Sequence, residues 1–320
     1  MTDSCNYAAI DLGSNSCRLL VCDAKGNHLF ADNYGTKLAE GMGKDKLIRP
    51  MAFVRAEVTF AEIRKKLDEY QVDERNLRAV ATAACRMAKN GEQLIKRIAE
   101  VSRINLEVID GREEAELNLQ GASEHVKGKS KYLIVWDLGG ASTEVTLAEN
   151  REIPKILRTI SIPYGARNGA EDFALREYDK NKAQQLSAKI DEYLDEFMQD
   201  LTMPDRKDIC FVATSSTPLR LVSMLAGKGK YSREEADGKI IKTSAMENLL
   251  TRLYKQSVEE MAQNPCIGES RAPIFVAACV IFARIVQRLQ ANDIMASLKS
   301  AKDAIITNLI ERDKTNGESN

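Results

Sequence analysis

A chain of 320 residues exceeds what one hydrophobic core comfortably fills and points to two domains. Its 46 Lys and Arg against 47 Asp and Glu leave a net charge of −1, so no global field recruits nucleic acid or an anionic membrane, and any polyanion must be gripped locally. Only two His are present, His28 and His125, which argues against a Ser–His–Asp hydrolase, a His-rich zinc site or a His-Asp metal phosphohydrolase and leaves carboxylates as the expected acid–base groups.

In chain order, 7–12, 16–23 and 27–34 read as short strands, the last two joined by the turn AKGN. Helical apolar spacing follows Pro50 over 51–70. LRAVATAA at 77–84 reads as a buried strand running into a small-residue loop that carries Arg86. A helix over 90–102, a strand over 104–109 and a helix starting at Asp110 come next. Further strands are expected at 131–138, 143–149, 153–162 and 208–214, and helices near 181–201, 215–226, 244–262 and 272–290. The run Ala272–Ala283 is too short to span a bilayer and reads as a buried helix. The tail from Asp313 is polar and is expected to fray. Alternating strands and helices, with a strand hairpin opening each half, give an α/β class. The polar and basic SEHVKGKSK at 123–131 places the expected domains at 1–125 and 126–320, with the last helices free to return to the first domain.

The opening MTDSCNY shows no basic stretch leading into an apolar run, so no secretory signal is expected. Seven scattered Cys without a CxxC pair read as reduced thiols of a cytoplasmic protein.

One unit recurs. AAIDLGSNSCRLLVCD at 8–23 aligns without a gap on LIVWDLGGASTEVTLA at 133–148, pairing Asp11 with Asp137, Leu12 with Leu138, Gly13 with Gly139 and Ser16 with Ser142. A strand–turn–strand of small residues exposes several backbone N–H groups in one place, a nest suited to phosphate oxygens. Ser14, Asn15, Ser16, Ser142 and Thr143 add side-chain donors. An acid beside phosphate makes electrostatic sense with a divalent cation between them, so Asp11 and Asp137 read as acids on the metal side, and Mg²⁺ is the expected ion. A plain β-turn with an Asx hydrogen bond is the simpler reading of either loop alone. The pattern is neither a Walker A loop nor GxGxxG.

Arg86, after a strand and before a helix, suits a phosphate clamp because its planar fork donates two parallel bonds, although a surface Arg is the commoner meaning. Arg18 has the same role or a structural one. In VIDGREEAELNLQG at 108–121, Asp110 and Glu113 have the form of a capping box, which gives Glu113 a structural task and leaves Glu114 to orient and deprotonate a water. Glu144, on the strand leaving the second loop, is the second candidate base.

AAIDLGSNSCRLLV, AVATAACR, VIDGREEAEL and LIVWDLGGASTEV occur in this order and spacing. Together they resemble the exopolyphosphatase/guanosine pentaphosphate phosphohydrolase (Ppx/GppA) family, a branch of the actin–Hsp70–sugar kinase superfamily. The resemblance is strong over about 7–165 and weaker through SIPYGARNGAEDF, FVATSSTPLRL and APIFVAACVIFARIVQRL. It implies two RNase H-like (actin-like ATPase) domains with an interdomain cleft, Mg²⁺, and hydrolysis of a terminal phosphoanhydride. By motif position Glu114 matches the family's catalytic Glu, and Asp137 and Glu144 its second-loop acids. Asp11, Gly13, Ser14, Asn15 and Ser16 match the first phosphate loop, Gly139, Gly140, Ala141, Ser142 and Thr143 the second, and Arg86 the family's Arg. The implied partner is inorganic polyphosphate or guanosine penta- or tetraphosphate, with no nucleic acid and no membrane; a homodimer is compatible.

Several positions depart from the family pattern. Ala141 stands where a third Gly is usual, and Arg112 where an acid precedes the Glu pair. ATSSTPLR replaces a Gly-Thr-Gly-Gly-Thr segment, so Ser215 and Ser216 argue against a nucleobase packed on that backbone. ASLKSAKDAI replaces an Asp-Arg-Gly-Leu-Arg-Glu-Gly segment. The leading expectation is an exopolyphosphatase, with a guanosine pentaphosphatase second. A sugar kinase or other ATPase would need an intact adenosine loop, and a non-catalytic sensor would bind phosphate without turnover. Local basic paths for a polyanion are expected at KGKSK (127–131) and GKGKYSR (227–233).

Overall fold

The computed structural model describes residues 5–152 and 154–317. The chain opens with strands β1 (Tyr7–Leu12), β2 (Cys17–Cys22) and β3 (His28–Tyr34), then helix α1 (Pro50–Glu69). Next come β4 (Leu77–Ala81), α2 (Ala83–Met87), α3 (Gly91–Ser102), β5 (Leu106–Val108) and α4 (Gly111–Ser123). The second half contains β6 (Tyr132–Leu138), β7 (Thr143–Glu149), β8 (Lys155–Ile162), α5 (Ala166–Asp172), α6 (Lys180–Met198), β9 (Ile209–Thr214), α7 (Ser216–Leu225) and α8 (Arg233–Ala236). It ends with β10 (Ile240–Lys242), α9 (Thr243–Leu253), α10 (Val258–Gln263), α11 (Ala272–Leu289), β11 (Asp293–Ala296) and α12 (Ala301–Gly317).

The residues up to Leu117, together with those from Ala301 onward, form one compact unit, and Asn118–Ser300 form the other. The first sheet has the order β3-β2-β1-β4-β5 and the second the order β10-β11-β9-β6-β7-β8. In each, a central strand pairs antiparallel with the next strand of its hairpin and parallel with the strand that follows a helix. Read outward from β1 and β6 the two sheets are the same, apart from the antiparallel edge strand β10. This is the RNase H-like arrangement, present twice, so the repeat in the sequence is a repeat of topology.

In the first unit every residue of β1 is buried, as expected for a parallel-paired strand covered on both faces. Ala8, Ile10 and Leu12 join the core under α1 and α3, while Tyr7 and Ala9 meet Ala301, Ala304, Ile305, Ile306 and Leu309 of α12. The last helix thus supplies the second apolar layer of the first sheet. The tail expected to fray from Asp313 is helical over its described part, and residues 318–320 of that expectation lie outside the described residues. α12 continues to Gly317, the Tyr7 hydroxyl donates to Asp313 at 3.0 Å, and Arg312 donates to the Arg75 carbonyl. Polar composition concealed a helix whose inner stripe is Ala and Ile.

In the second unit Trp136, with Ile134 and Leu138, faces a core dominated by α11. α11 is long and apolar enough to cross a membrane, but most of it is buried in this core. On the opposite face Leu133, Val135 and Val212 pack against Leu119, Ala122 and Val126. The helix expected over 244–262 is divided, because Ser257 opens α10 with a capping box to Glu260. The short elements α5, α8, β10 and β11 were not expected from the sequence; each has too few residues to show a period.

α4 begins where Asp110 Oδ1 accepts the amides of Arg112 (2.9 Å) and Glu113 (2.8 Å). Only this half of the anticipated box forms: Glu113 instead pairs with Arg78 at 2.5 Å, which also holds Glu107 at 3.0 Å. Asp110→Ala is expected to cost about 1 kcal/mol of stability, and Glu113→Gln, at a partly exposed pair, about 0.5 kcal/mol or less. Urea unfolding that ranked the two in the opposite order would contradict this assignment. Ile305, fully buried beneath the first sheet, is expected to cost about 2–4 kcal/mol as Ile305→Ala, measured the same way; a loss below about 1 kcal/mol would mean that α12 is not a core layer.

Candidate active site

In the first unit the loop from Gly13 to Ser16 joins β1 to β2 and is closed by the Gly13 amide donating to the Ser16 carbonyl at 3.0 Å. Asp11, Ser14 and Ser16 are buried. Side chains alternate along β1, so Asp11 lies on the face that α12 covers, away from Ile10 and Leu12. Arg18 is its direct partner in the β1–β2 register and donates to Asp11 Oδ2 at 2.9 Å.

The first unit also holds Glu114, at 8% exposure. Arg86, in α2, donates through Nη1 to Glu114 Oε2 at 3.1 Å and to the Ile109 carbonyl at 2.8 Å. This guanidinium therefore fixes the carboxylate that the motif singles out. Two thiols sit beside these groups. Burial, and after it the neighbouring Asp11 carboxylate, push Cys17 well above the usual thiol range, and burial pushes Cys85 up to about 12. Neither is a thiolate at neutral pH, so neither is poised as a nucleophile.

In the second unit the loop from Gly139 to Ser142 repeats the closure, with the Gly139 amide donating to the Ser142 carbonyl at 2.9 Å. A row of polar residues crosses four strands here. Thr214 in β9 is the register partner of Asp137 in β6, Asp137 of Glu144 in β7, and Glu144 of Ser161 in β8. Directly opposed residues share a face, which is the face that packs against Leu119 and Ala122 of α4. Asn118 donates to Asp137 Oδ2 at 3.1 Å and Ser161 to Glu144 Oε1 at 3.0 Å. Asp137, Glu144 and Thr214 are buried.

At one equivalent position the two units differ in the sign of charge beside the loop acid. The repeat aligns Arg18 with Glu144. Beside its loop acid the first unit therefore places a guanidinium, and the second a further carboxylate. Two buried carboxylates opposed across a strand pair repel unless a cation or a proton is shared between them. As oxygen donors they suit Mg²⁺, whereas Asp11 already has a cation at hand in Arg18.

The hydroxyls of Ser14, Ser16 and Ser142 have no protein partner among the described residues. Thr143 does: its hydroxyl donates to the Tyr164 carbonyl at 2.8 Å. After β9, Ser215 holds φ +84°, a conformation that suits glycine, so this loop keeps a glycine backbone where the residue is Ser. Its Oγ and the Oγ1 of Thr214 are buried without a hydrogen-bond partner among the described residues. Of the six cations on the expected basic paths, three are compensated locally: Lys131 pairs with Asp208 at 3.4 Å, Lys228 with Glu235 at 2.8 Å and Arg233 with Glu234 at 3.1 Å.

Motif reading did not identify Thr214, Ser161 or Asn118. The first two gain their meaning from strand register, which no local pattern reveals. Asn118 follows Glu114 by four residues, one turn along the same helix, and that spacing was the available signal.

The Ppx/GppA phosphatase family matches residues 21–313 of the chain. A bifunctional 3-dehydroquinate synthase/phosphatase from Fusobacterium nucleatum is 24% identical over 299 residues, covering 91% of this chain and 44% of that protein. A guanosine-5'-triphosphate,3'-diphosphate pyrophosphatase from Aliivibrio fischeri is 32% identical over 149 residues, or 46% of this chain and 29% of that protein. The chain thus spans less than half the length of these curated relatives. The crystal structure of an exopolyphosphatase from Cytophaga hutchinsonii has the same fold, with a TM-score of 0.86 at 23% identity, covering 96% of this chain and 98% of that one. With the family match running over most of its length and the RNase H-like unit present twice, this chain belongs to the Ppx/GppA phosphatase family.

Proposed function

We propose that the chain hydrolyses the terminal phosphoanhydride of inorganic polyphosphate and releases phosphate. The observation that carries this reading is the buried Glu114, held by Arg86 at the position of the family's base. Glu114 accepts the proton of an attacking water, a step worth about 10²–10⁴ in rate. In each unit the loop, Gly13–Ser16 in the first and Gly139–Ser142 in the second, offers N–H groups suited to the negative charge of phosphate oxygens, and such preorganised donors commonly lower the barrier more than any other single effect. Arg86 orients the base, and the rest of its guanidinium has no protein acceptor among the described residues. Asp137 and Glu144 would hold Mg²⁺. When bound, the ion would neutralise charge on the transferred group and the leaving oxygen.

A second reading, removal of the 5'-terminal phosphate of guanosine pentaphosphate, is supported by the name of the A. fischeri relative. The side chains of Ser215 and Ser216 weigh against it, since they occupy a loop where a nucleobase would approach the backbone. A phosphate sensor without turnover is the third reading, and the departures at Ala141 and Arg112 favour it. All seven cysteines are free, which suits the reducing cytoplasm we propose as its location.

Phosphate release from long-chain polyphosphate, from guanosine pentaphosphate and from ATP separates the readings. The expected kcat/KM is highest for polyphosphate and negligible for ATP. A preference for the pentaphosphate would establish the second reading, and binding without release the third. In the same assay Glu114→Gln is expected to lower kcat by about 10²–10⁴ with KM little changed, and excess chelator to abolish turnover. Full activity of Glu114→Gln would place the base elsewhere.

A further inference from the structure

We infer that Gly165 and Asn168 are positioning residues that orient the second phosphate loop by holding its carbonyls. The inference rests on the phosphate-binding reading above. Gly139 O accepts the Ala166 amide at 2.9 Å, Gly140 O the Arg167 amide at 2.7 Å, and Ala141 O the Asn168 side-chain Nδ2 at 3.0 Å. Three consecutive loop carbonyls are therefore drawn to the first turn of α5. In a planar trans peptide the following N–H points opposite to the C=O. The amides of Gly140, Ala141 and Ser142 consequently point away from α5. None of the three donates to a protein acceptor among the described residues. Ala166 and Ala170 of α5 belong to the core on the Trp136 face, so the amides are turned toward the face that carries Asp137 and Glu144.

Asn168 is itself fixed. Its Oδ1 accepts the Gly165 amide at 2.7 Å, and its Nδ2 also reaches the Pro163 carbonyl at 2.9 Å. Gly165 is where backbone meets backbone: a Cβ there would lie 2.6 Å from Gly139 O, 2.6 Å from Gly140 C and 2.7 Å from Ala141 N. Any side chain would displace the loop.

The first unit achieves the same orientation with unrelated residues. The Ala39 amide donates to Ser14 O and the Lys37 amide to Asn15 O, both at 2.9 Å. Ser14 and Asn15 are the repeat equivalents of Gly140 and Ala141. Leu38, between the two donors, is fully buried in the core on the Ile10 face, opposite Asp11. In both units a segment outside the hairpin takes the loop carbonyls on the face away from the loop acid, and the amides are left on the acid's side. That the same two carbonyls are held by a short helix in one unit and by an irregular segment in the other ties the arrangement to the orientation and not to one packing solution.

The test compares Asn168→Ala and Gly165→Ala with Asn150→Ala, whose Nδ2 likewise donates to two backbone carbonyls, of Val126 and Ser130, but outside the loop. Tripolyphosphate binding is measured by calorimetry in the presence of Mg²⁺, with thermal unfolding and, for polyphosphate, kcat and KM alongside. Asn168→Ala is expected to weaken tripolyphosphate about tenfold and to lower kcat/KM for polyphosphate by at least as much, with kcat falling as well, the signature of lost oriented donors that also serve the transition state. Gly165→Ala is expected to weaken it more. Asn150→Ala is expected to lower the melting temperature as much as Asn168→Ala while binding as the unmodified chain does. Unchanged binding by Asn168→Ala, or equal weakening by Asn150→Ala, would overturn the inference even if Gly165→Ala fails to fold. Tripolyphosphate bound but not hydrolysed would refute the catalytic reading alone, since the binding comparison still reads the loop. No binding by the unmodified chain would overturn both.

Discussion

A loop that meets phosphate has to turn its carbonyl oxygens elsewhere, because a C=O dipole facing an anion cancels the benefit of the N–H beside it. In this protein that constraint is met twice, by hydrogen bonds from outside the hairpin to the carbonyls of Ser14 and Asn15 and of Gly140 and Ala141. Each hairpin places an acid near the end of its first strand, buried beside the loop. The remaining architecture supplies support: α1, α3 and the segment around Leu38 on one face of the first sheet, and α5, α6 and α11 on one face of the second.

The duplicated unit has diverged in charge more than in shape. Register and strand order are the same in both sheets around the central hairpin, yet one equivalent position holds Arg18 and the other Glu144. An Asp–Arg pair at 2.9 Å is internally compensated and adds a fixed positive group near its loop. An Asp–Glu pair concentrates negative charge, which the divalent cation of the proposed reaction would offset. On the proposed function, the duplication would give two phosphate loops with different tasks, one with a permanent cation beside it and the other with a place for a divalent cation, without altering the backbone. Glu114 stands apart from both hairpins, on a helix whose start is set by Asp110 and whose carboxylate is aimed by Arg86.

Much of this was legible in the sequence because the informative residues cluster. Strand, loop and acid lie within sixteen residues and occur twice, so the hairpins, the loop acids and the α/β class followed from local pattern. Glu114 could be separated from Glu113 by capping chemistry, although the structure forms only the Asp110 half of the box and gives Glu113 to Arg78. What was not legible depends on residues far apart in the chain. Ser161 and Thr214 matter through their register with Glu144 and Asp137. Gly165 lies in a stretch that resembled the family only weakly, and its importance comes from a backbone approach that no composition encodes. α12 was missed because its polar outer face dominates its composition, while Ile305, Ile306 and Leu309 cover the first sheet from within.

The central claim is that the loop amides themselves receive the phosphoryl oxygens. Backbone amide shifts of ¹⁵N-labelled protein, followed during titration with tripolyphosphate and Mg²⁺, address it directly. Asn15, Ser16, Gly140, Ala141 and Ser142 are expected to move together and saturably, as amides gaining an anionic acceptor. Movement confined to lysine-rich surface segments such as 127–131 and 227–233, with these five amides unchanged, would contradict it.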